Sequence, residues 1–129
     1  MDQTRLTPRQ LSQIAVLEVL PPKFDQINRI VEEMAGLRAD AAMVQRLCRM
    51  LDESKSAAST MGLPALADTL GMMGSLARRT GGLQMKVRGL REGLGSLRIN
   101  FEGAWRSATT PVDDPSASSP PGDRSAGPT

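Results

Sequence analysis

Apolar residues recur every three or four positions along most of the first 107 residues, whereas no stretch shows the strict alternation that marks a strand. In an amphipathic helix this spacing puts the apolar side chains on one face, where they can pack against a neighbouring helix. The pattern predicts helices over residues 8–20, 23–37, 40–62 and 64–79, followed by a last helix that begins near residue 83.

Local signals mark the ends of these helices. Thr7 is a favourable N-cap for a helix whose first residue is Pro8. The pair Pro21–Pro22 predicts the end of the first helix, because the residue before a proline avoids helical backbone angles. Gly62 suits the C-terminus of the third helix, and Pro64 suits the first turn of the fourth.

The last predicted helix carries a heptad repeat. Its apolar residues follow alternating steps of four and three positions and define a heptad seam: Leu83, Val87, Leu90, Leu94, Leu97, Phe101 and Ala104. Gly89 and Gly93 lie at the edge of this seam, and we interpret them as positions where another helix packs closely within the bundle. Because the loops are short, neighbouring helices should run antiparallel. The expected fold is therefore all-α, an antiparallel four-helix bundle preceded by a short lead-in helix.

The composition changes from about residue 108. The segment ATTPVDDPSASSPPGDRSAGPT holds more than half of the nine prolines and contains no Leu, Ile, Phe or Met. Such a segment cannot bury enough apolar surface to offset the entropy that is lost on ordering. We therefore expect a helical domain over residues 1–107 and a disordered C-terminal tail over residues 108–129.

Charge and cysteine content limit the classes of function. The net charge of +2 is too small an excess to indicate nucleic acid as a partner, and the few aromatic residues argue against a stacking surface for single-stranded nucleic acid.

The N-terminal residues lack a signal-peptide pattern, and no apolar run approaches the length of a membrane span. The single cysteine, Cys48, excludes an internal disulfide. We expect a cytoplasmic protein that does not associate with membranes.

The predicted third helix has a polar side, which we call the Asp52 face. Its members share one side of a helical wheel: Gln45, Arg49, Asp52, Lys55, Ser56 and Ser59, with Cys48 beside them. Lys55 follows Asp52 by three residues, and Gly62–Leu66 form a glycine-apolar helix end before a helix that opens Pro-x-Leu. This arrangement resembles the histidine-containing phosphotransfer domain of two-component signalling, a four-helix bundle with a surface histidine in the middle of one helix.

The chain departs from this family at the positions that carry its chemistry. Asp52 stands where the family has the phospho-accepting histidine, Ser56 stands where it has a glycine, and Lys55 is retained. The chain contains no histidine, and phosphoryl transfer in the family needs an imidazole nucleophile. An aspartyl phosphate would need a metal held by neighbouring carboxylates, whereas Glu53 points about 100° away around the helix. The resemblance therefore implies a non-catalytic adaptor, not an enzyme, with no cofactor and no metal site.

Two surfaces are candidates for partner binding. The first is the Asp52 face, and the second is a basic flank of the last helix formed by Arg88, Arg91 and Arg98 together with Arg106. The resemblance implies that the partner is a receiver or histidine kinase domain, which binds the Asp52 face and the adjoining basic flank.

Other interpretations stay open at this point. Each polar surface is also consistent with a solvated helix face that has no partner. The second functional hypothesis is a helical scaffold or assembly protein that forms a homodimer, or a larger assembly, through the heptad seam and the glycines at its edge. A monomer in solution would favour the adaptor, and a concentration-dependent oligomer would favour the scaffold.

Overall fold

The computed structural model describes residues 5–111, and every regular element in that range is an α-helix. The helices are α1 (Pro8–Glu18), α2 (Leu20–Ala35), α3 (Ala41–Thr60), α4 (Pro64–Arg78) and α5 (Leu83–Thr109). The all-α prediction is therefore confirmed over this range. The predicted disordered tail falls mostly on residues 112–129, which lie outside the described residues.

Helices α2 to α5 form a ring in which each helix packs on its sequence neighbour and α5 closes the ring against α2. Contacts between α2 and α5 show that these helices run in opposite directions. Glu32, near the end of α2, pairs with Arg91, near the start of α5. Phe24, near the start of α2, packs edge-to-face on Phe101, toward the end of α5, with ring centroids 6.1 Å apart.

Helix α5 also runs antiparallel to α4. Asn100, late in α5, donates from its side-chain amide to Thr69 Oγ1, early in α4, at 2.7 Å. Gly93, earlier in α5, lies against Met73, later in α4. Helix α3 packs along α4 and is joined to it by a short turn, so it too runs opposite to α4. The four helices therefore form an up-down-up-down bundle, and α1 packs on α5 and α2 at one end of it.

The core is one cluster to which all five helices contribute. Its largest fully buried side chains are Leu17, Leu20, Ile27, Val31, Leu47, Leu51, Leu66, Leu70, Met73, Leu90 and Leu97. Burial of each such side chain stabilises the fold by roughly 1.5–3 kcal/mol before the opposing entropy is counted. Almost all of them lie on the apolar faces that the helical periodicity predicted.

The boundary between α1 and α2 differs from the prediction. Helix α1 ends at Glu18 and α2 begins at Leu20, so Pro21 and Pro22 lie in the first turn of α2. The first N–H groups of a helix have no partner within that helix, and proline, which lacks an N–H, is tolerated there. The proline pair therefore marks the start of a helix and not the end of the preceding one.

The end of α2 lies earlier than predicted. The helix ends at Ala35, and Leu37 has a φ of 60° and is 79% exposed. In this left-handed conformation Leu37 N donates to Met34 O, and Arg38 N donates to Glu33 O. These bonds satisfy carbonyl groups at the end of the helix. Leu37 is therefore part of a helix-terminating turn and not of the core.

Gln10 joins α1 to the end of α5. Thr7 caps α1 as predicted, because its Oγ1 accepts from Gln10 N at 3.0 Å while its own N–H donates to Gln10 Oε1 at 2.8 Å. The buried Gln10 amide then donates to Ser107 O at 3.1 Å and to Thr110 O at 2.6 Å. Gln10 therefore satisfies carbonyl groups that the end of α5 cannot satisfy within the helix.

The helical domain extends past the predicted boundary at residue 107. Helix α5 continues to Thr109, Ala108 is buried, and Thr109 Oγ1 donates to Trp105 O at 2.6 Å. The apolar pattern underestimates the length of this helix because alanine and threonine carry little of the signal. The bundle therefore reaches at least Thr110, where the contact with α1 is made.

Candidate functional site

The Asp52 face is carried by α3, whose ends are set by local signals. Asp40 is the N-cap, and its carboxylate accepts from Met43 N at 2.8 Å. At the other end Gly62 has a φ of 70°, which glycine adopts readily, and the helix stops after Thr60. Helix α3 buries Leu47, Leu51, Ser54 and Ala58. The predicted site residues lie on the other side and are all exposed: Gln45, Arg49, Asp52, Lys55, Ser56 and Ser59.

Asp52 is paired rather than free. Its Oδ2 accepts from Arg78 Nη2 on α4, and Arg78 Nη1 donates to Gly74 O at 3.2 Å. The Asp52 and Arg78 side chains are 56% and 49% exposed, and an exposed pair of this kind contributes at most about 1 kcal/mol to stability. Its main effect is positional, because one guanidinium group holds the carboxylate of α3 against the backbone of α4.

Two glycines keep the α4 side of this face shallow. A Cβ atom on Gly71 would lie 3.3 Å from Lys55 Cε, and one on Gly74 would lie 3.1 Å from Arg78 Nη1 and 3.7 Å from Asp52 Oδ1. The side chains that reach across from α3 can therefore lie low over α4. Lys55 covers α4 with its aliphatic stem while the residue as a whole stays exposed.

Next to the Asp52 face, α3, the end of α4 and the start of α5 border an open groove of about 560 Å³, which we call the basic groove. Its lining residues are Val44, Gln45, Cys48, Arg49, Ala77, Arg78, Arg79 and Lys86. Lys86 Nζ donates to Arg79 O across the loop between α4 and α5. Because four of these residues are cations and none is a carboxylate, the groove attracts anionic groups.

Sequence reasoning missed Arg79 and Lys86 as members of this site, and it did not identify Arg78 as the partner of Asp52. The available signal is a group of cations on both sides of the break at residues 80–82. That signal has meaning only when the turn between α4 and α5 is known to lie beside the first half of α3.

The basic flank of α5 is partly neutralised. Arg91 forms a bidentate pair with Glu32 on α2, with donor–acceptor distances of 2.9 and 2.8 Å. The hydrogen bonding in this pair lowers the pKa of Glu32 and raises the pKa of Arg91. Arg88 and Arg98 are exposed, and Arg88 lines a second groove together with the exposed Leu37.

The two predicted surfaces do not adjoin. The Asp52 face borders α4 through Arg78, whereas the basic flank borders α2 through the pair between Arg91 and Glu32. In the ring order α2–α3–α4–α5, the edge between α3 and α4 lies opposite the edge between α5 and α2. The expected adjacency of the Asp52 face and the basic flank is therefore wrong, and the cations next to Asp52 are those of the basic groove.

The heptad seam lies inside the monomer. Its central residues are buried: Val87, Leu90, Leu94 and Leu97. Leu83, the first residue of α5, is 37% exposed, so the buried part of the seam begins at Val87. A Cβ atom on Gly93 would lie 2.5 Å from Met73 Cγ, which confirms close packing of α4 on α5 at this glycine. In the folded chain this central part of the seam is therefore occupied by intramolecular contacts.

Two further properties concern the described part of the chain. Within residues 5–111, no group of three or more His, Cys, Asp or Glu side chains could hold a metal ion. None of the helices in that range has the length and apolar character needed to cross a membrane.

Comparison with known proteins finds no matching family model, no matching curated protein and no matching solved structure. The resemblance to phosphotransfer domains thus rests on the residues around Asp52.

Proposed function

We propose that this protein is a non-catalytic, phosphotransfer-like adaptor that binds a receiver or histidine kinase domain through its α3–α4 surface. This surface consists of the Asp52 face and the basic groove. The observation that carries the proposal is the place of Asp52, which is exposed in the middle of α3 and lies three residues before the exposed Lys55. The family that the chain resembles has its phospho-accepting residue at this position.

The groups around Asp52 favour binding over phosphoryl transfer. An aspartyl nucleophile would be assisted by a metal that neighbouring carboxylates hold. Here the carboxylate of Asp52 is paired with Arg78, and Lys55 lies on the same face. A paired carboxylate with cations beside it can recognise a polar protein surface, but it is a weak nucleophile.

The basic groove indicates the charge of the partner. Arg49, Arg79 and Lys86 extend the α3–α4 surface beyond the pair of Asp52 and Arg78, so the surface as a whole is positive. Complementary charges speed association and exclude partners of like charge. We therefore expect the partner to present carboxylates to this surface.

The test is binding of the full chain to a panel of purified receiver and histidine kinase domains, measured by titration calorimetry. Arg49→Glu reverses a charge on the α3–α4 surface. Arg46→Glu is the matched control, because Arg46 is exposed on the same helix, about 120° around from Asp52. We expect Arg49→Glu to weaken binding by at least about tenfold and Arg46→Glu to change it by less than about twofold.

Two results would contradict the proposal. Equal weakening by Arg49→Glu and Arg46→Glu would show that binding depends on the net charge of the chain and not on contacts with the α3–α4 surface. A wild-type chain that binds no member of the panel would exclude the proposed class of partner.

A further inference from the structure

The outward side of α5 carries a row of exposed residues that the proposed function does not use. It consists of Glu92, Gly95, Ile99, Gly103 and Arg106, and we call it the α5 stripe. On a helical wheel these five positions lie within about 80° of one another and opposite the heptad seam. The stripe therefore points away from the bundle over several turns.

The fold of the monomer gives no reason for the two glycines of the stripe. A Cβ atom on Gly95 or on Gly103 would meet no atom within 4 Å, whereas one on Gly93 would collide with Met73. Neither Gly95 nor Gly103 has a positive φ. Glycine inside a helix costs about 1 kcal/mol relative to alanine. The only property these residues add is that the backbone of α5 can be approached closely from outside.

Ile99 lies between the two glycines and is 72% exposed. Ile99 itself lines an open, mostly apolar groove, together with Gly103 and Ala104 of α5 and Pro64 and Ala65 of α4. A single symmetric contact can bury this exposed isoleucine in both copies at once.

The stripe is symmetric about Ile99 in sequence. Gly95 and Gly103 lie four residues before and after it, and Glu92 and Arg106 lie seven residues before and after it. Neither Glu92 nor Arg106 has a side-chain hydrogen bond or ion pair within the described part of the chain. A two-fold axis beside Ile99 would bring each glycine opposite the other glycine of the second copy and each Glu92 opposite an Arg106.

We propose that a second copy of this chain docks on the α5 stripe, with the two α5 helices antiparallel and crossing at Ile99. The glycines allow the backbones to approach closely, the isoleucines pack at the crossing, and two Glu92–Arg106 pairs close the ends. A parallel arrangement would instead place Glu92 against Glu92 and Arg106 against Arg106. This dimer does not depend on the proposed function, because the α5 stripe lies outside the α3–α4 surface.

The size of the contact sets its strength. From Glu92 to Arg106 the helix is about 21 Å long, so the contact belongs to the small interfaces that bury less than about 1,200 Å² in total. We expect a reversible dimer with a dissociation constant of roughly micromolar order or weaker.

The first experiment is sedimentation equilibrium of the full chain over a range of concentrations. Wild type should show a monomer–dimer equilibrium, and Ile99→Arg should raise the dissociation constant by at least about tenfold. The matched control is Met72→Arg, which places the same cation at an exposed apolar residue of α4 that is 55% exposed in the wild type. Met72→Arg should dimerise as the wild type does, and circular dichroism should confirm equal helicity in all three proteins.

The second experiment tests the antiparallel pairing. Glu92→Arg and Arg106→Glu should each weaken the homodimer, because each variant places like charges against one another. An equimolar mixture of the two variants should recover a heterodimer about as stable as the wild type, because both pairs are then restored. A wild-type chain that remains monomeric, equal loss with Met72→Arg, or no recovery in the mixture would each overturn the proposal.

Discussion

Arg78 on α4 holds the carboxylate of Asp52 on α3 with one guanidinium nitrogen while the other donates to the carbonyl of Gly74. The pair lies near the middle of the α3–α4 surface, and both side chains are about half exposed. Because an exposed pair contributes little to the free energy of unfolding, substitutions at Asp52 can be interpreted in terms of binding and chemistry without loss of the fold.

Restoring the family's chemistry is the direct test of the resemblance. Asp52→His combined with Ser56→Gly supplies an imidazole nucleophile and a small neighbour, with Lys55 in place to stabilise phosphoryl oxygens. If the proposed relationship holds, this variant should accept a phosphoryl group from a phosphorylated receiver domain, measured with radiolabel, and the wild type should not. Ser59→His, on the same face, is the control and should stay unlabelled. Label on the wild type would contradict the non-catalytic assignment.

Two glycines two residues apart on α5 should respond in opposite directions. Gly93→Ala forces the buried Met73 to move and should destabilise the monomer by about 1–2 kcal/mol, despite the better helix propensity of alanine. In Gly95→Ala the added Cβ has no atom within 4 Å, so this variant should stabilise the monomer by about 0.5–1 kcal/mol. Urea denaturation at low protein concentration, where the monomer unfolds, measures both. Stabilisation by both variants would show that helix propensity outweighs the packing of Gly93 on Met73.

The end of the domain can be located by truncation. A chain that ends after Pro111 keeps the buried Ala108 and the hydrogen bond from Gln10 to Thr110, and its midpoint of thermal unfolding should equal that of the full chain. A chain that ends after Ser107 loses both and should be less stable by about 1–2 kcal/mol. Equal stability of the two truncated chains would show that the helical domain ends at residue 107.

Ser54 is a buried polar residue, and removal of its hydroxyl should stabilise the folded chain. Its Oγ has no hydrogen-bond partner among the described residues, and the side chain is fully enclosed by the core. Ser54→Ala removes an unsatisfied hydroxyl and improves helix propensity, so it should stabilise the protein by about 0.5–1.5 kcal/mol in chemical denaturation. Ser56→Ala, at an exposed position of the same helix, isolates the propensity effect. A loss of stability at Ser54 alone would mean that its hydroxyl is bonded in solution.

The pair of Glu32 and Arg91 predicts a pH dependence. Its hydrogen bonds lower the pKa of Glu32 below the ordinary value of 4.5, so the pair stabilises the folded state above that value and the contribution is lost as pH falls through the lowered pKa. Glu32→Gln should therefore be slightly less stable than wild type at neutral pH, and the difference should vanish in strong acid. Urea midpoints at both pH values measure this, and a difference independent of pH would exclude the charge of Glu32 as its cause.

Features that depend on residues close together in the chain were predictable from the sequence. The caps at Thr7 and Asp40 join groups three residues apart, and the end of α3 depends on the conformation of Gly62. The inward faces of the helices follow from a period of about 3.6 residues, because burial repeats with the turn of the helix. The exposed Asp52 face follows from the same period.

Local signals failed where two readings were compatible with the same residues. A proline pair suits both the region after one helix and the first turn of the next. Here Leu20 is buried in the core as the first residue of α2, so the prolines lie in the first turn of that helix. Leu37 continues the apolar period of α2, yet the helix had already ended, so the residue turned outward. The physical reason is that a boundary depends on the packing of both neighbouring elements.

The arrangement of the site was decided by tertiary structure. Arg78 lies 26 positions from Asp52, and Thr110 lies 100 positions from Gln10. A helical wheel gives the direction of a side chain relative to its own axis, whereas the distance between two side chains depends on which helices are neighbours in the ring. Periodicity contains no information about that order, and for this reason it could not predict that the Asp52 face and the basic flank, which we expected to adjoin, lie on opposite sides of the bundle.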